Sequence, residues 1–334
     1  MAYEIGTATD HADLWDKLIS FLTTNEELVY DNQQWEVAWE APTGAANPTD
    51  IVLKGPGLAD ADQIFVGLRR IDNVPNDASE IRMVGMTGVI PTADTYDTHV
   101  NTTPRPVRTF LRANPMNYWF VANGRRFMAV IKVSSVYEAL YGGFFLPYGD
   151  PITYSYPLFI GGSAGFGGNN AAVDWRSTAG DHANFPLSGY DSNSQGYEPS
   201  AWALSPSGDW LRCAGTGNGG TNGVNDANIY LAPRFFGTGF QISEGITGSN
   251  YGYEEMKRRV IEALGGGYCL TPITLVQQNP SDQTYGVLDG VYHAPGRGNS
   301  AENIITVDGL DHLVVQNTFR TSLGDFWAMQ IGAP

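Results

Sequence analysis

The feature that most constrains the fold is a pair of apolar segments, residues 118–122 and 125–131, separated by Asn123-Gly124. Both segments are aromatic or β-branched nearly throughout, which is typical of strands. Asn-Gly is the preferred pair for a type I′ hairpin turn, because both central positions of that turn need a positive φ. The near-continuous apolar character favours central strands over an exposed edge. We therefore predict an antiparallel hairpin inside a sheet, with a type I′ turn at its tip.

A helix is predicted near the start of the chain, where Thr9 or Asp10 can act as its N-cap. Its apolar residues recur at helical spacing. They are Leu14, Trp15, Leu18, Ile19, Phe21 and Leu22. Four short strands are predicted after it, at residues 35–40, 51–53, 63–70 and 80–86. We expect the helix to pack on the sheet that these strands form, as a small α+β unit over residues 1–90.

The rest of the chain, residues 91–334, is predicted to be an antiparallel, β-rich body. Strands are expected at residues 229–236, 273–276, 287–292, 304–307, 313–315 and 326–331. Asp308-Gly309 is a second turn signal and places two of these strands in a hairpin. A short helix is expected at residues 253–264, because three glycines follow it.

Residues 161–223 differ from both flanks, since glycine and asparagine dominate and no apolar period persists. Interspersed aromatic residues argue against plain disorder. We expect a long, irregular and largely ordered insertion. The sequence as a whole predicts an α+β fold that is predominantly β: the N-terminal unit, the body, and this Gly/Asn/aromatic-rich insertion.

The charge of the chain argues against some partners. A formal net charge of −16, from 19 basic and 35 acidic residues, opposes binding to nucleic acid. The first ten residues lack the basic and apolar character of a secretory signal, and no apolar stretch reaches membrane-spanning length. We expect synthesis and folding in a cytoplasm and no membrane insertion. Cys213 and Cys269 have neither a zinc nor a redox spacing, so both are interpreted as buried apolar residues.

No motif indicates catalysis, a metal or a cofactor. The five histidines lack metal-ligand spacing. They are His11, His99, His182, His293 and His312. Residues 161–165 spell GxSxG, but the residues that follow cannot start the helix that a serine nucleophile elbow requires. The glycines of residues 215–223 lack a phosphate-loop motif and a nearby lysine. We therefore expect no catalytic, cofactor-binding or metal-binding residues.

Without a catalytic motif, the sequence favours a structural role that depends on protein contacts. Two alternatives to that role remain open. A glycan hydrolase would need two carboxylates, and Asp289, Asp308, Asp311 and Asp325 are available, although nothing in the sequence pairs them. The aromatic residues of the insertion could stack on sugars in a receptor- or glycan-binding module. They could equally be subunit-interface residues, which we favour because tryptophan, tyrosine and arginine are enriched at interfaces. The candidate interface residues are Trp175, Tyr190, Trp202, Trp210, Arg212 and Arg234.

Several stretches resemble virion structural proteins from the tail gene clusters of tailed bacteriophages. They lie at both ends and in the centre of the chain. They are Ala2 to Ala8 with Asp10-His11 and Leu18 to Thr23, Tyr118 to Phe127, Lys132-Val133-Ser134, Leu146-Pro147-Tyr148, Tyr156-Pro157-Leu158, Leu288 to Tyr292, and Gln316 to Arg320.

The resemblance implies a component of the tail, neck or baseplate that is present in several copies. Its partners would be copies of itself and other virion proteins, with host surface glycan as an alternative partner. The resemblance carries over no catalytic residues. The expected function is assembly into the particle through protein contacts, and the expected final location is the virion.

Overall fold

A computed structural model of the chain describes residues 1–42, 49–57, 62–72, 79–165, 186, 200–212, 229–233, 270–277, 283–294, 298–316 and 326–332. Its helices are α1 (His11–Thr24) and α2 (Glu26–Tyr30). The strands of the first half are β1 (Ala2–Ala8), β2 (Glu36–Ala41), β3 (Asp50–Gly55), β4 (Ile64–Ile71), β5 (Ser79–Met86), β6 (Val107–Leu111), β7 (Met116–Ala122), β8 (Arg126–Val133), β9 (Val136–Phe144), β10 (Leu146–Pro147), β11 (Leu158–Gly162) and β12 (Ala164–Gly165). The later strands are β13 (Ala201–Leu204), β14 (Trp210–Arg212), β15 (Ile229–Pro233), β16 (Thr271–Gln277), β17 (Gln283–Ala294), β18 (Ile304–Val307), β19 (Leu310–Gln316) and β20 (Phe326–Gln330).

These strands form three antiparallel sheets, as the sequence predicted for a predominantly β chain. The central sheet has the order β1-β7-β8-β9-β11-β13-β14. The first sheet has the order β12-β6-β5-β4-β3-β2, and the third has the order β15-β16-β17-β20-β19-β18 with β10 paired to β17. Each of the three sheets therefore combines strands from distant parts of the sequence.

The central sheet is buried on both faces. Phe120 and Ala122 pack in a core with α1 and the first sheet, while Trp119 and Val121 pack in a second core with the third sheet. Alternate residues of a strand point to opposite faces, so a strand that is covered on both sides is apolar at every position. This arrangement explains the continuous apolar run of residues 118–122 and confirms that the hairpin is central.

The hairpin of β7 and β8 is confirmed, but the predicted type I′ turn is wrong. The last pair is Ala122 opposite Phe127, and neither Asn123 nor Gly124 has a positive φ. Instead, the Asn123 side chain accepts hydrogen bonds from the backbone N–H groups of Arg125 (2.8 Å) and Arg126 (3.0 Å).

Contacts with distant residues account for this open turn. Gly57 donates its N–H to the carbonyl oxygen of Gly124 (2.7 Å), and the indole of Trp35 donates to that of Asn123 (2.9 Å). Among the described residues, the Asp308-Gly309 turn makes no such contact with a distant segment. Both of its residues have positive φ, and Val307 pairs directly with Leu310, which confirms the predicted two-residue hairpin.

The N-terminal helix is confirmed with Asp10 as its N-cap. The Asp10 carboxylate accepts from the N–H groups of Ala12 and Asp13, both at 2.9 Å. The helix does not pack only on the strands that follow it, since it also contacts β1 and β7 of the central sheet, with Phe21 5.6 Å from Phe120 between ring centroids. The division at residue 90 stays a prediction, and the pairings of β1 with β7 and of β5 with β6 cross it.

The predicted strands at residues 35–40, 51–53, 63–70 and 80–86 correspond to β2 to β5. The later ones correspond to β15, β16, β17, β18, β19 and β20. Within residues 161–223, the ends are strands of the central and first sheets rather than irregular chain, namely the end of β11, then β12, β13 and β14. Residues 166–185, 187–199 and 213–223 of that range lie outside the described residues, and so do residues 234–236, the helix predicted at 253–264 and both cysteines.

Candidate functional site

A polar pocket of about 350 Å³ lies between three segments of the chain. The segments are the loop from Thr87 to Asn101, the residues Tyr154 to Tyr156, and the turn from Leu204 to Gly208 that joins β13 to β14. Most of the lining side chains carry a hydroxyl or amide group. The volume is at the lower end of the range for small-molecule sites.

The hydroxyl groups of this pocket are already hydrogen-bonded within the chain. Tyr156 donates to the carbonyl oxygen of Gln63 (2.7 Å), and Tyr154 donates to that of Leu204. Ser207 donates to the Asp209 carboxylate (2.8 Å). Burial raises the pKa of Tyr156, so its phenol stays protonated. No carboxylate belongs to the described lining, so these residues could hold a neutral polar ligand but do not supply the acid pair of a hydrolase.

Beside the pocket, residues 146–153 form a turn with exposed apolar side chains. Leu146, Tyr148 and Ile152 have exposed fractions of 36%, 64% and 90%. The backbone is nevertheless fixed: Leu146 pairs with Val287 in the third sheet, and the N–H of Tyr148 donates to the carbonyl oxygen of Tyr285 (2.9 Å). We call residues 146–153 the apolar turn. It presents large apolar side chains to solvent on a defined backbone.

Two of the three tryptophans predicted as interface residues, Trp202 and Trp210, pack within the chain itself. Trp202 is 7% exposed and lies in the core between the central and first sheets, which corrects its assignment as a surface contact. Trp210 is partly buried against the same core, and its indole donates to the carbonyl oxygen of Asn101 (2.8 Å). Arg212 is partly exposed on β14, whereas Trp175, Tyr190 and Arg234 lie outside the described residues.

The short alternating pattern of β13 explains why the sequence did not show that Trp202 is buried. Trp202 and Leu204 of β13 point to one face of the central sheet, while Ala201 and Ala203 point to the other. A four-residue strand in a glycine-rich context gives little periodicity, so the aromatic residues were the only visible signal.

The described histidines and the GxSxG serine are buried or make contacts within the fold. Ser163 is fully buried, and its hydroxyl accepts from the N–H of Ala139 (2.7 Å). His11 contacts the Asp72 carboxylate (3.1 Å), and His99 accepts from the N–H of Ile90 (3.1 Å). Burial lowers the pKa of His99 and of His312, which favours their neutral forms. His293 is also buried, and His182 lies outside the described residues.

The acidic residues considered for hydrolysis have separate structural partners. Asp289 faces the guanidinium of Arg126, Asp308 forms the β18–β19 turn, and Asp311 accepts from the hydroxyl of Thr306 (2.6 Å). Asp325 lies outside the described residues. Across the described ranges, no group of three or more histidine, cysteine or acidic residues is placed to hold a metal ion.

A row of arginines crosses the first sheet. Arg69, Arg82 and Arg108 stand opposite one another on β4, β5 and β6. Arg69 forms a bidentate pair with Asp50 and lies over the ring of Tyr96 at 4.4 Å. Glu80 accepts from both Arg82 (2.6 Å) and Arg108 (3.3 Å). The guanidinium groups of this row therefore neutralise carboxylates of the same sheet.

A smaller ionic cluster joins the central sheet to the loop that precedes β18 of the third sheet. The Glu302 carboxylate accepts from the ammonium group of Lys132 (2.5 Å) and the hydroxyl of Tyr137 (2.6 Å). The hydrogen bond from Lys132, with a further one from Tyr137, lowers the pKa of Glu302. Glu302 also has a φ of 71°, a left-handed conformation that costs energy for a residue with a side chain. The cluster thus helps to hold this segment against the central sheet.

This lowered pKa predicts an acid-dependent contribution to stability. The unfolded Glu302 has the higher pKa, about 4.3, so the stabilisation is present above that pH and is lost as the pH falls through the folded pKa. We expect Glu302→Gln to unfold at a lower urea concentration than the wild type at pH 7, and we expect this deficit to shrink as the pH falls through the folded pKa. Glu36→Gln, at an exposed position of β2, is the control and should show no such pH-dependent difference. A Glu302→Gln deficit that persists unchanged at low pH would refute the charge-based explanation.

Within the described ranges, none of the helices is long and apolar enough to cross a membrane. Comparison with known proteins identifies no relative, since no family model matches the chain and no curated protein matches it significantly.

Proposed function

We propose that this chain is a structural subunit of a tailed-phage virion, in the tail, neck or baseplate, which acts through protein contacts in several copies. Its partners are other copies of itself and neighbouring virion proteins. It is made and folded in the bacterial cytoplasm and ends in the particle. The phage assignment is supported by the sequence resemblance of residues 2–11, 118–127 and 288–292, which form parts of β1, β7, β8 and β17.

The observation that carries an assembly role is the apolar turn. Monomeric proteins rarely expose large contiguous apolar patches, and such patches mark interaction sites. Tyr148 and Ile152 are the most exposed residues of the turn, and both are held on hydrogen-bonded backbone. Three stacked antiparallel sheets provide a rigid support for such a contact.

A glycan-binding role has one observation in its favour, the polar pocket beside the apolar turn. Its hydroxyl groups are largely committed to internal hydrogen bonds, whereas a sugar site needs groups left available for the ligand. Binding of a free glycan that is weakened by Asn101→Ala would favour this alternative over assembly.

The proposal is tested by incorporation into particles. We expect the wild-type chain to co-purify with tailed particles at a fixed number of copies. The double variant Tyr148→Ser/Ile152→Ser should keep its thermal midpoint, because both side chains are exposed, but should be incorporated at least about tenfold less, as expected for loss of central contact residues. Tyr30→Ser, at an exposed position of α2, is the matched control and should be incorporated normally.

Each outcome separates a different possibility. If the wild-type chain is absent from purified particles, the structural role is wrong. If the double variant is incorporated as well as the wild type, the chain remains a virion subunit and the apolar turn is not its contact.

A further inference from the structure

The outer edge of β1 is the longest regular free sheet edge in the described part of the chain. β1 pairs with β7 over seven residues in an unbroken register, from Ala2 opposite Ala122 to Ala8 opposite Met116. No backbone group of β1 has a hydrogen-bond partner on the other side among the described residues. Every second residue of an antiparallel edge strand presents its N–H and C=O groups outward. A row of unpaired backbone groups therefore lies at the end of the central sheet.

This edge lacks most of the features that usually prevent pairing with another chain. Proteins protect such edges with lysine, proline, a bulge or inward-pointing charges. β1 has no lysine, proline or bulge. Its one charged residue, Glu4, lies on the face that packs against α1, and the carboxylate already accepts a hydrogen bond within its own sheet, from the hydroxyl of Tyr118 (2.7 Å). Ile5, at the middle of the strand, is 60% exposed. An exposed isoleucine on an unprotected edge is suited to a partner strand.

We infer that β1 pairs with β1 of a second copy of this chain, antiparallel and about a two-fold axis at Ile5. This inference deepens the proposed function and rests on it, because it names one of the contacts through which the subunits assemble. The central sheets of the two copies then form one continuous sheet.

The residues of β1 favour this register over its neighbours. With Ile5 opposite Ile5, all seven residues pair, Tyr3 lies opposite Thr7, and Glu4 lies opposite Gly6. A shift that places Glu4 opposite Glu4 sets like charges face to face, which is destabilising. A shift that places Gly6 opposite Gly6 pairs only the five residues from Glu4 to Ala8. In the register centred on Ile5, residues of the two copies that lie directly opposite each other also project from the same face of the combined sheet.

The other free edges fit β1 less well, which is why a second copy of β1 is the partner. β2 has a register shift between Val37 and Trp39. β12, β14 and β18 have two, three and four residues, and β15 has five and ends at Pro233. None of these described edges offers seven residues in regular register.

Sedimentation equilibrium of the full-length chain tests this inference. We expect the wild type to have twice the chain mass and Ile5→Lys to raise the dissociation constant at least about tenfold, because it sets two ammonium groups face to face. Ile304→Lys is the matched control, since Ile304 is 50% exposed on β18, the edge strand of another sheet, and it should leave the dimer intact. Circular dichroism should show that both variants stay folded.

A cross-link gives the second measurement. Directly opposite residues of an antiparallel pair lie within reach of a disulfide. Ile5→Cys should therefore yield, on mild oxidation, a covalent dimer that mass spectrometry assigns to Cys at position 5 in both copies. A wild-type chain that is monomeric at about 100 μM, or a dimer that Ile5→Lys leaves unchanged, overturns the inference. In the second case the proposed function stands, whereas absence of the chain from particles removes that function whatever β1 does.

Discussion

Replacing Gly124 with alanine is expected to destabilise the protein by about 3 kcal/mol, because the added methyl group has no space. Gly124 is buried at the tip of the β7–β8 hairpin, and a β-carbon built there would overlap the carbonyl oxygen of Gly57. The overlap is with backbone, so no side chain can rotate away. The hydrogen bond from Gly57 to Gly124 (2.7 Å) and that from Trp35 to Asn123 (2.9 Å) would be disturbed together. Urea denaturation of the purified chain measures the loss.

Gly88→Ala is the matched control for this prediction. Gly88 also lacks a positive φ, and a β-carbon there would lie 3.5 Å from that of Val100, an ordinary contact. We expect the control to be neutral or slightly stabilising, since alanine restricts the unfolded chain. If Gly124→Ala were as stable as Gly88→Ala, the hairpin tip would not be held by its contact with Gly57.

The same hairpin shows how far the sequence predicts this fold. Its strands could be predicted because the apolar pattern of residues 118–131 is local and continuous. Its turn could not, because Asn-Gly prefers type I′ in isolation, and the open form is stabilised by Gly57 and Trp35, which are distant in sequence. At Asp308-Gly309 no such contact is made within the part of the chain that the structure describes, and the turn follows its local preference.

The two candidate contact surfaces, the apolar turn and the edge of β1, were harder to predict from the sequence. The apolar turn has no periodic pattern, and its exposure depends on the pairing of Leu146 with Val287. β1 is similar, since Ala2–Ala8 becomes an edge strand only through pairing with β7. Trp202 was assigned to an interface because aromatic residues in a glycine-rich segment look exposed, whereas β13 places this side chain in the core. Exposure is a property of the assembled sheets and is not encoded locally.

A buried ion pair between the central and third sheets provides the second large effect. Arg126 is 1% exposed, and its Nε lies 3.4 Å from a carboxylate oxygen of Asp289, 163 positions away in sequence. Among the described residues, its Nη1 is buried without a hydrogen-bond partner, and its Nη2 lies 3.6 Å from the sulfur of Met1, a weak acceptor. The guanidinium therefore loses hydration without regaining a full set of partners.

Such a pair responds unequally to removal of its two members. Asp289→Asn leaves the buried guanidinium without its counter-charge, and we expect a loss of about 3 kcal/mol. Arg126→Met removes the costly charge and keeps an apolar side chain of similar length, so we expect a change between zero and a gain of about 2 kcal/mol. Asp289 is 20% exposed and can be hydrated when it is left alone.

The double variant Arg126→Met/Asp289→Asn distinguishes this explanation from a simple packing defect. Without a guanidinium to compensate, the change at Asp289 should cost little, so the double variant should resemble Arg126→Met alone in urea denaturation. If Arg126→Met were instead as destabilising as Asp289→Asn, the 3.4 Å contact would be a net source of stability. The two sheets would then be held together by this charge pair as well as by the apolar core that surrounds it.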